Sequence, residues 1–188
     1  MAKRGRPTAY ERAVRRERIL DAAVATFAGR GFGAASLDEI AAAAGVTKRT
    51  LYTDVGDKAA LFAAAVEREH DHIRAVATDA GSLIDVATEM VMVLHSDSAV
   101  ALHRSVIAEA RRFPDLAQTF YASGPLHSID LLASYLPPGG DTPTRAAALY
   151  SVLLGEPHRR RLLDLTPAPT RSEAAAHASA SLALLARS

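Results

Sequence analysis

The sequence predicts an all-α protein that consists of a three-helix head followed by a larger helical body. Alanine and leucine are abundant, runs of β-branched residues are rare, and apolar residues recur at the spacing of an amphipathic helix. Capping residues, glycines and prolines divide the 188 residues into segments of helical length. The apolar share of 49% is sufficient for a packed core.

Residues 1–11, MAKRGRPTAYE, are predicted to form a flexible basic arm before the first helix. Lys3, Arg4 and Arg6 lie among glycine and proline, without apolar periodicity. Basic arms of this kind add phosphate or minor-groove contacts beside a main nucleic-acid site. The alternative is a disordered tail without function.

Helix 1 is predicted from about Arg12 to Gly29, followed by two further glycines. Phe32, between those glycines, is predicted to fill the core of the head. The buried stripe of the helix repeats at helical spacing and consists of Ile19, Leu20, Ala23, Val24 and Phe27.

Two short helices joined by a tight turn are predicted between Ser36 and Val55. Ser36 is a good N-cap, and Glu39 three residues later completes a capping box. Gly45 follows the last periodic apolar residue and can adopt the left-handed conformation that ends a helix. Thr47 is the predicted N-cap of the second helix.

The second helix turns Leu51 inward and leaves a cationic, hydroxyl-bearing face outward. That face consists of Lys48, Arg49, Thr50, Tyr52 and Thr53. Such a helix, set on a capped partner, is typical of a helix-turn-helix whose second helix lies in the major groove of DNA. The alternative is an ordinary helical hairpin with a solvated basic face.

The segment VTKRTLYTDVGDKAALF resembles the recognition helix and the following helix of the TetR family of bacterial transcription regulators. RERILDAAVATFAGRGFGAASLDEIAAAAGV resembles the two helices before it, and the resemblance as a whole covers residues 13 to 73. Two positions depart from the family pattern. Asp54 replaces a residue that is usually not acidic, and Val55 replaces a bulky aromatic. Because an acidic side chain would be repelled by phosphates, Asp54 is not counted as a DNA contact.

The resemblance implies a DNA-binding domain over residues 12–66, with the helix-turn-helix at 36–55, and a ligand-binding and dimerisation domain over 67–188. Lys48, Arg49 and Thr50 are expected at base edges. The candidate DNA-binding residues are Arg4, Arg6, Ser36, Thr47, Lys48, Arg49, Thr50, Tyr52, Thr53 and Lys58.

Charge is distributed unevenly between the two parts. Residues 1–66 hold 11 Lys and Arg against 7 Asp and Glu, whereas residues 67–188 hold 11 against 14. A basic head on an acidic body fits a protein that binds nucleic acid at one end. A basic membrane-surface segment would need large apolar residues opposite the charges, which residues 1–18 lack. No apolar run is long enough to span a bilayer, and the absence of cysteine fits a reducing cytoplasm.

Helix 4 is predicted to start at Lys58, to run to about Ala80 and to link the head to the body. Gly124-Pro125 and Gly155-Glu156-Pro157 are expected to break later helices, and Thr170 with Glu173 forms a second capping box. The segment VIAEARRFPDLAQTFYASGP, residues 106–125, resembles the ligand domain of the AefR-like branch of the same family.

The body is predicted to enclose an apolar ligand pocket and to form a homodimer. The candidate pocket residues, each of which could also be plain core or surface, are Met90, His95, His103, Ile107, Phe113, Phe120, Tyr121 and His127. The candidate dimer residues on the two last helices are Leu149, Val152, Leu153, Ala175, Ala178, Leu182 and Leu185. If these stripes face only their own body, they cannot form the interface.

Enzymatic chemistry finds no support in the sequence. Glu67 and His70 have the spacing of a di-iron motif, but no second copy follows. Phosphate-binding and nucleophile-elbow motifs are also missing, so no cofactor, metal or membrane is expected. The resemblance to the TetR family therefore implies a cytoplasmic regulator that binds a palindromic operator and responds to an unidentified small molecule, and the usual role in this family is that of a repressor. The alternatives are a constitutive DNA-binding protein, and a helical carrier or enzyme with a vestigial head.

Overall fold

The structure, a computed structural model, describes residues 8–78 and 81–185, and within these ranges it is helical without a strand. The head contains α1 (Ala9–Ala34), α2 (Leu37–Ala43) and α3 (Lys48–Asp54). Helix α4 (Lys58–Thr78) leads into the body, which consists of α5 (Leu83–Leu94), α6 (Asp97–Glu109), α7 (Pro114–Tyr121), α8 (His127–Tyr135), α9 (Thr142–Leu162) and α10 (Arg171–Leu185). The predicted all-α fold class is thus confirmed.

Helix α1 begins earlier and ends later than its sequence pattern indicates. Thr8 caps it in a capping box with Glu11, so residues 9–11 are helical and not part of an arm. The candidate contacts Arg4 and Arg6 lie outside the described residues. The glycines do not end the helix at Gly29, because the backbone breaks only at Gly31 (φ 75°) and one further turn follows. That turn buries Phe32, as predicted.

The helix-turn-helix forms with the predicted caps. The Ser36 hydroxyl accepts from the backbone N–H of Glu39, and the Thr47 hydroxyl accepts from that of Thr50. Gly45 has a φ of 65°, the left-handed conformation expected between the two helices. Leu51 is fully buried, so the opposite side of α3 faces outward.

The head and the body share one continuous core. Phe27, Phe32 and Phe62 pack with ring centroids 5.4–5.7 Å apart, and Leu102 and Val106 of α6 belong to the same cluster. A second cluster fills the body, around Met90, Leu132, Leu149, Leu153 and Ala178. Because α6 contributes to the first cluster, the head is packed directly on the body as well as connected to it by α4.

Two predicted helix ends are distortions within longer helices. Gly124-Pro125 lies in a π-helical segment, Ala122–Leu126, that joins α7 to α8. The wider turn accommodates a proline, which has no N–H to donate. In α9, Gly155 adopts a φ of 52° and Pro157 follows, yet the helix resumes to Leu162. The resumed part is anchored because His158 and Arg161 are buried.

None of the described helices combines the length with the apolar composition that crossing a membrane requires.

Candidate nucleic-acid interface and body cavities

The outward face of α3 carries hydroxyl, aromatic and cationic groups. The Thr47 and Thr50 hydroxyls lie 2.8 Å apart, and the Thr53 hydroxyl donates to the Arg49 carbonyl at 2.8 Å. Tyr52 is 49% exposed. Within the described part of the chain, the Arg49 guanidinium forms no hydrogen bond or ion pair, so its donors are available to a ligand outside the protein.

Lys48, next to Arg49 on the same face, is paired within the head. Its Nζ donates to an Asp38 carboxylate oxygen at 2.8 Å, and both side chains are exposed. This hydrogen bond raises the pKa of Lys48, so the group is cationic at neutral pH. Asp38 therefore offsets one of the positive charges on the predicted DNA face.

Lys58 is held by the head. Its Nζ donates to the carbonyls of Gly33 at 3.1 Å and Ala35 at 2.8 Å, and lies 4.6 Å from the centroid of the Phe32 ring. Burial lowers the pKa of Lys58. Since an ammonium has three N–H donors, one remains for the phosphate contact that the sequence predicts. Ser36 is similarly engaged, because its hydroxyl also donates to Glu39 at 3.2 Å.

Asp54 has a structural role that the sequence reasoning missed. Arg15 Nε donates to its carboxylate at 2.6 Å, and Arg16 donates to its backbone carbonyl at 3.2 Å. These contacts tie the C-terminal end of α3 to α1. The acidic residue that departs from the TetR pattern thus has its partners in the first half of α1. The arginines of that segment were the sequence feature from which this pairing could have been predicted.

A carboxylate of the body bonds the head beside the break in α1. Glu109, the last residue of α6, accepts from the backbone N–H of Gly33 at 3.0 Å. Phe113 packs on Phe32 with ring centroids 5.4 Å apart. The same helix, α6, therefore contacts both the head and the interior of the body.

The candidate pocket residues do not form one wall. His103 and Phe120 are stacked with centroids 5.1 Å apart and line a cavity of about 30 Å³. Met90 and His95 are buried core, and Phe113 lies on the head. The prediction is wrong for Ile107, Tyr121 and His127, which are exposed. On α6 the buried positions are Val100, Leu102, Ser105 and Val106, so Ile107 points outward.

Four histidines form a cluster between α5, α6, α9 and α10. Ring centroids are 5.2 Å apart for His103 and His158, 5.2 Å for His158 and His95, and 6.1 Å for His95 and His177. Burial lowers the pKa of both His95 and His158 to about 4. No three His, Asp or Glu side chains among the described residues are arranged to hold a metal ion.

The Leu153 carbonyl holds two of these rings. Nε2 of His95 lies 3.2 Å from this oxygen and Nε2 of His177 lies 2.9 Å from it. A carbonyl only accepts, so both rings donate through Nε2. The oxygen is free for them because its usual helical partner would be the N–H of residue 157, which is proline. Pro157 was the sequence signal for this arrangement.

The candidate dimer residues face mainly inward. Leu149, Leu153 and Ala178 are at most 1% exposed within their own chain, so they cannot form an interface. Val152, Ala175, Leu182 and Leu185 are half-buried. The exposed small and apolar positions of the same helices include Ala148 and Ser151 on α9, and Ala176, Ala180, Ala183 and Leu184 on α10. Inward and outward residues alternate too closely in these alanine-rich helices for the sequence to distinguish the two faces.

Comparison with known proteins agrees with this architecture. Residues 19–65 match the family model "Bacterial regulatory proteins, tetR family". Residues 81–187, more than half of the chain, match "AefR-like transcriptional repressor, C-terminal domain". The chain belongs to the TetR family of transcriptional regulators.

Individual relatives of this TetR-family regulator include two solved structures. One is described as a TetR-family transcriptional regulator from Mesorhizobium loti, with 28% identity, a TM-score of 0.74, and coverage of 96% of this chain and 98% of that one. The other is the Flavonoid-responsive Regulator FrrA, with 29% identity and a TM-score of 0.66. That match covers 93% of this chain and 96% of FrrA. The HTH-type transcriptional activator FasR of Mycolicibacterium smegmatis is 42% identical over 59 residues, which span 31% of this chain and 27% of that protein.

Proposed function

We propose that this TetR-family regulator binds a palindromic operator as a homodimer and is released from it by a small molecule that enters the body. The observation that carries the proposal is the outward face of α3, with an Arg49 guanidinium that no described residue engages. A cationic helix of this kind on a three-helix head suits the major groove. The site of action would be the cytoplasm, where operator DNA is accessible.

The proposed DNA contacts divide into base readers and backbone contacts. Arg49 would bind guanine, because its planar fork matches the O6 and N7 acceptors of that base. Lys48 and Thr50 would lie beside it. The groups proposed to contact phosphates, which position the helix without reading sequence, are Ser36, Thr47, Tyr52, Thr53, Lys58 and the arm residues Arg4 and Arg6.

The effector would bind around His103 and Phe120. The cavity there, about 30 Å³, has room for water-sized molecules only, whereas ligand sites usually measure about 300–1,000 Å³. The proposal therefore requires α6 and α7 to move apart when the effector enters. The similarity to a regulator named as flavonoid-responsive favours a flat, largely apolar aromatic effector.

Helix α6 supplies the proposed connection to DNA. Its residues Leu102 and His103 line the cavity, and Glu109 at its end bonds Gly33 of the head. Displacement of α6 would break the Glu109–Gly33 bond and reorient α1 with α3. DNA and effector would then weaken each other's binding, typically by about 5- to 150-fold.

Two observations each favour an alternative to the proposed function. The small cavity favours a constitutive DNA-binding protein without an effector. The name of the relative FasR favours an activator, although the 42% identity extends over only 59 residues, 31% of this chain. The AefR-like match over the body favours a repressor.

The decisive experiment is selection of operator sites from random DNA by the purified full-length protein. We expect enrichment of an inverted repeat, and loss of binding when one half-site is shuffled. Enrichment of no sequence would overturn the proposed DNA recognition. Naringenin and related flavonoids are then added to the selected complex.

A cavity-filling variant tests the effector part separately. Ala99 lines the cavity, so Ala99→Leu should keep operator affinity and abolish the flavonoid response. Ala108→Leu, on the exposed side of α6, is the matched control and should respond normally. An unaltered response in Ala99→Leu would place the effector elsewhere, and DNA binding without any response would support the constitutive alternative.

A further inference from the structure

A larger cavity of about 440 Å³ lies at the other end of the histidine cluster, between α5, α9, α10 and the loop of residues 163–170. His95 lines this cavity, and its neighbour His158 lines the 30 Å³ cavity. The volume falls within the usual range for a site that binds a small organic molecule. Neither the DNA contacts nor the proposed effector site uses it.

The walls of this cavity are already in place. Its apolar surface comes from Val91 and from a loop that contains Pro167 and Pro169. Arg161 holds that loop by donating to the Thr166 carbonyl at 2.7 Å. Arg104 fixes the end of α9, where the loop starts, by donating to the Leu162 carbonyl at 2.8 Å. A ligand would therefore lose little free energy in ordering the site.

Most charged groups that line the cavity already have partners. Arg161 is 5% exposed, donates to the His95 carbonyl at 2.9 Å and pairs with Asp97. Glu156 pairs with Arg159 at 2.6 Å, and Glu173 accepts from the Thr170 hydroxyl at 2.8 Å. These groups are committed to the fold.

Arg160 differs from them. Its side chain lines the cavity and is exposed, and its guanidinium makes no hydrogen bond or ion pair with any residue that the structure describes. The two histidines of the lining cannot replace it as donors, because both use Nε2–H on the Leu153 carbonyl. Arg160 thus offers a planar fork of N–H donors, which matches a carboxylate.

We propose that this cavity is a second small-molecule site, which binds an organic monocarboxylate with its charged end on Arg160 and its apolar end against Val91, Pro167 and Pro169. A monocarboxylate suits the site better than a phosphate dianion, because Glu156 and Glu173 also line it and repel additional negative charge. The inference is independent of the proposed operator and flavonoid response.

The test uses phenylacetate as the probe and phenylacetamide as its neutral analogue, titrated into the full-length protein by calorimetry and ligand-observed NMR. We expect phenylacetate to bind with a dissociation constant below about 1 mM, and phenylacetamide to bind at least about tenfold more weakly. Arg160→Gln should weaken phenylacetate binding by a similar factor. Arg111→Gln removes the same charge from an exposed position in the turn after α6 and should leave binding unchanged.

Two further variants locate the ligand. Ala168 is exposed and lines the cavity, so Ala168→Trp should fill the cavity and abolish binding without disturbing the core. Ala99→Leu, which fills the other cavity, should bind phenylacetate normally. Equal binding of acid and amide, equal loss in Arg160→Gln and Arg111→Gln, or no binding to the unaltered protein would each overturn the proposal.

Discussion

The cationic groups of Arg49 and Lys58 have different surroundings, so substitution of each residue should affect DNA binding and stability differently. Arg49→Ala should cost about 1–3 kcal/mol at one operator position, because a bidentate base contact is lost there and nowhere else. Lys58→Ala should weaken binding to all sequences alike. It should also lower the melting temperature, since the Gly33 and Ala35 carbonyls lose a donor.

The measurement is competition among operators that are substituted one base pair at a time, together with thermal unfolding of each variant. Arg111→Ala serves as a control for the loss of one exposed positive charge. Uniform losses across all operators for Arg49→Ala would contradict its role as a base reader. An unchanged melting temperature for Lys58→Ala would show that its two carbonyl contacts contribute little.

The buried histidines should make stability depend on pH. His95 and His158 have pKa values near 4 in the folded chain and an ordinary value of 6.5 when exposed. Between these two pH values the unfolded chain binds more protons than the folded chain. The contribution of the neutral histidines to the free energy of unfolding is therefore complete above about pH 6.5 and is lost as the pH is lowered towards 4. One such histidine contributes up to about 1.4 kcal/mol per pH unit in this window.

Urea unfolding at pH 7.5, 6 and 5 checks this dependence. His158→Leu should reduce the slope of unfolding free energy against pH, because it removes one of the groups whose pKa is lowered by burial; burial also lowers the pKa of His103. His127→Leu, an exposed histidine on α8, should leave the slope unchanged. A variant His158→Leu with the slope of the unaltered protein would exclude His158 as a contributor.

At the scale of helices, the contact between α1 and α6 can be tested at Gly33. A Cβ added there would lie 2.8 Å from Glu109 Oε1 and 3.2 Å from Phe113 Cε2. Gly33→Ala should therefore displace Glu109, cost about 1–2 kcal/mol of stability, and weaken the communication between effector and DNA. Gly29→Ala is the matched control, because its Cβ would meet nothing within 4 Å. It should stabilise α1 by about 0.5–1 kcal/mol.

Both variants are compared by thermal unfolding and by operator titration. The titration is done with and without a flavonoid that releases the unaltered protein from the operator. If Gly33→Ala retained full stability and full flavonoid response, the Glu109 bond would not be the connection between the body and the head.

The helix starts show what a sequence can and cannot reveal. Ser36, Thr47 and Thr170 act through atoms within three residues, so their patterns were sufficient to predict the helices that they cap. Helix continuation depends on distant packing. Gly155 and Pro157 are strong local stop signals, yet α9 resumes because His158 and Arg161 are buried against α5 and α6.

The functional surfaces show the same limit. The DNA face of α3 follows from a single inward residue, Leu51, and a seven-residue helix. Pairings such as Asp54 with Arg15, 39 positions apart, cannot be derived from local spacing. In α10 almost every position is small or apolar, so helical spacing alone could not place Ala178 inside and Ala180 outside.

At the scale of the whole molecule, the exposed alanines of α9 and α10 are the surface on which we expect a second copy to pack. Ala176, Ala180 and Ala183 repeat at helical spacing on the outer side of α10, and their small size permits close approach of two helices. Ala180→Glu should bury a charge in such an interface and split the dimer. Gln118→Glu places the same charge on the exposed surface of α7 and should not.

Light scattering at micromolar concentration distinguishes the two variants. A dimer that persists in Ala180→Glu would place the interface on another surface. Loss of operator binding together with the dimer would support simultaneous contact with two half-sites.

The ion pair between Lys48 and Asp38 has a consequence for binding to DNA. An exposed lysine ordinarily displaces a condensed cation when it approaches a phosphate, and each displaced cation steepens the dependence of affinity on salt. Here Asp38 stays beside Lys48 as a covalently attached counterion that cannot diffuse away. Operator binding should therefore liberate fewer ions than the head's lysines and arginines suggest. Asp38→Asn should tighten operator binding at low salt. It should also steepen the decline of affinity with rising salt, by the release of up to about one additional ion per half-site.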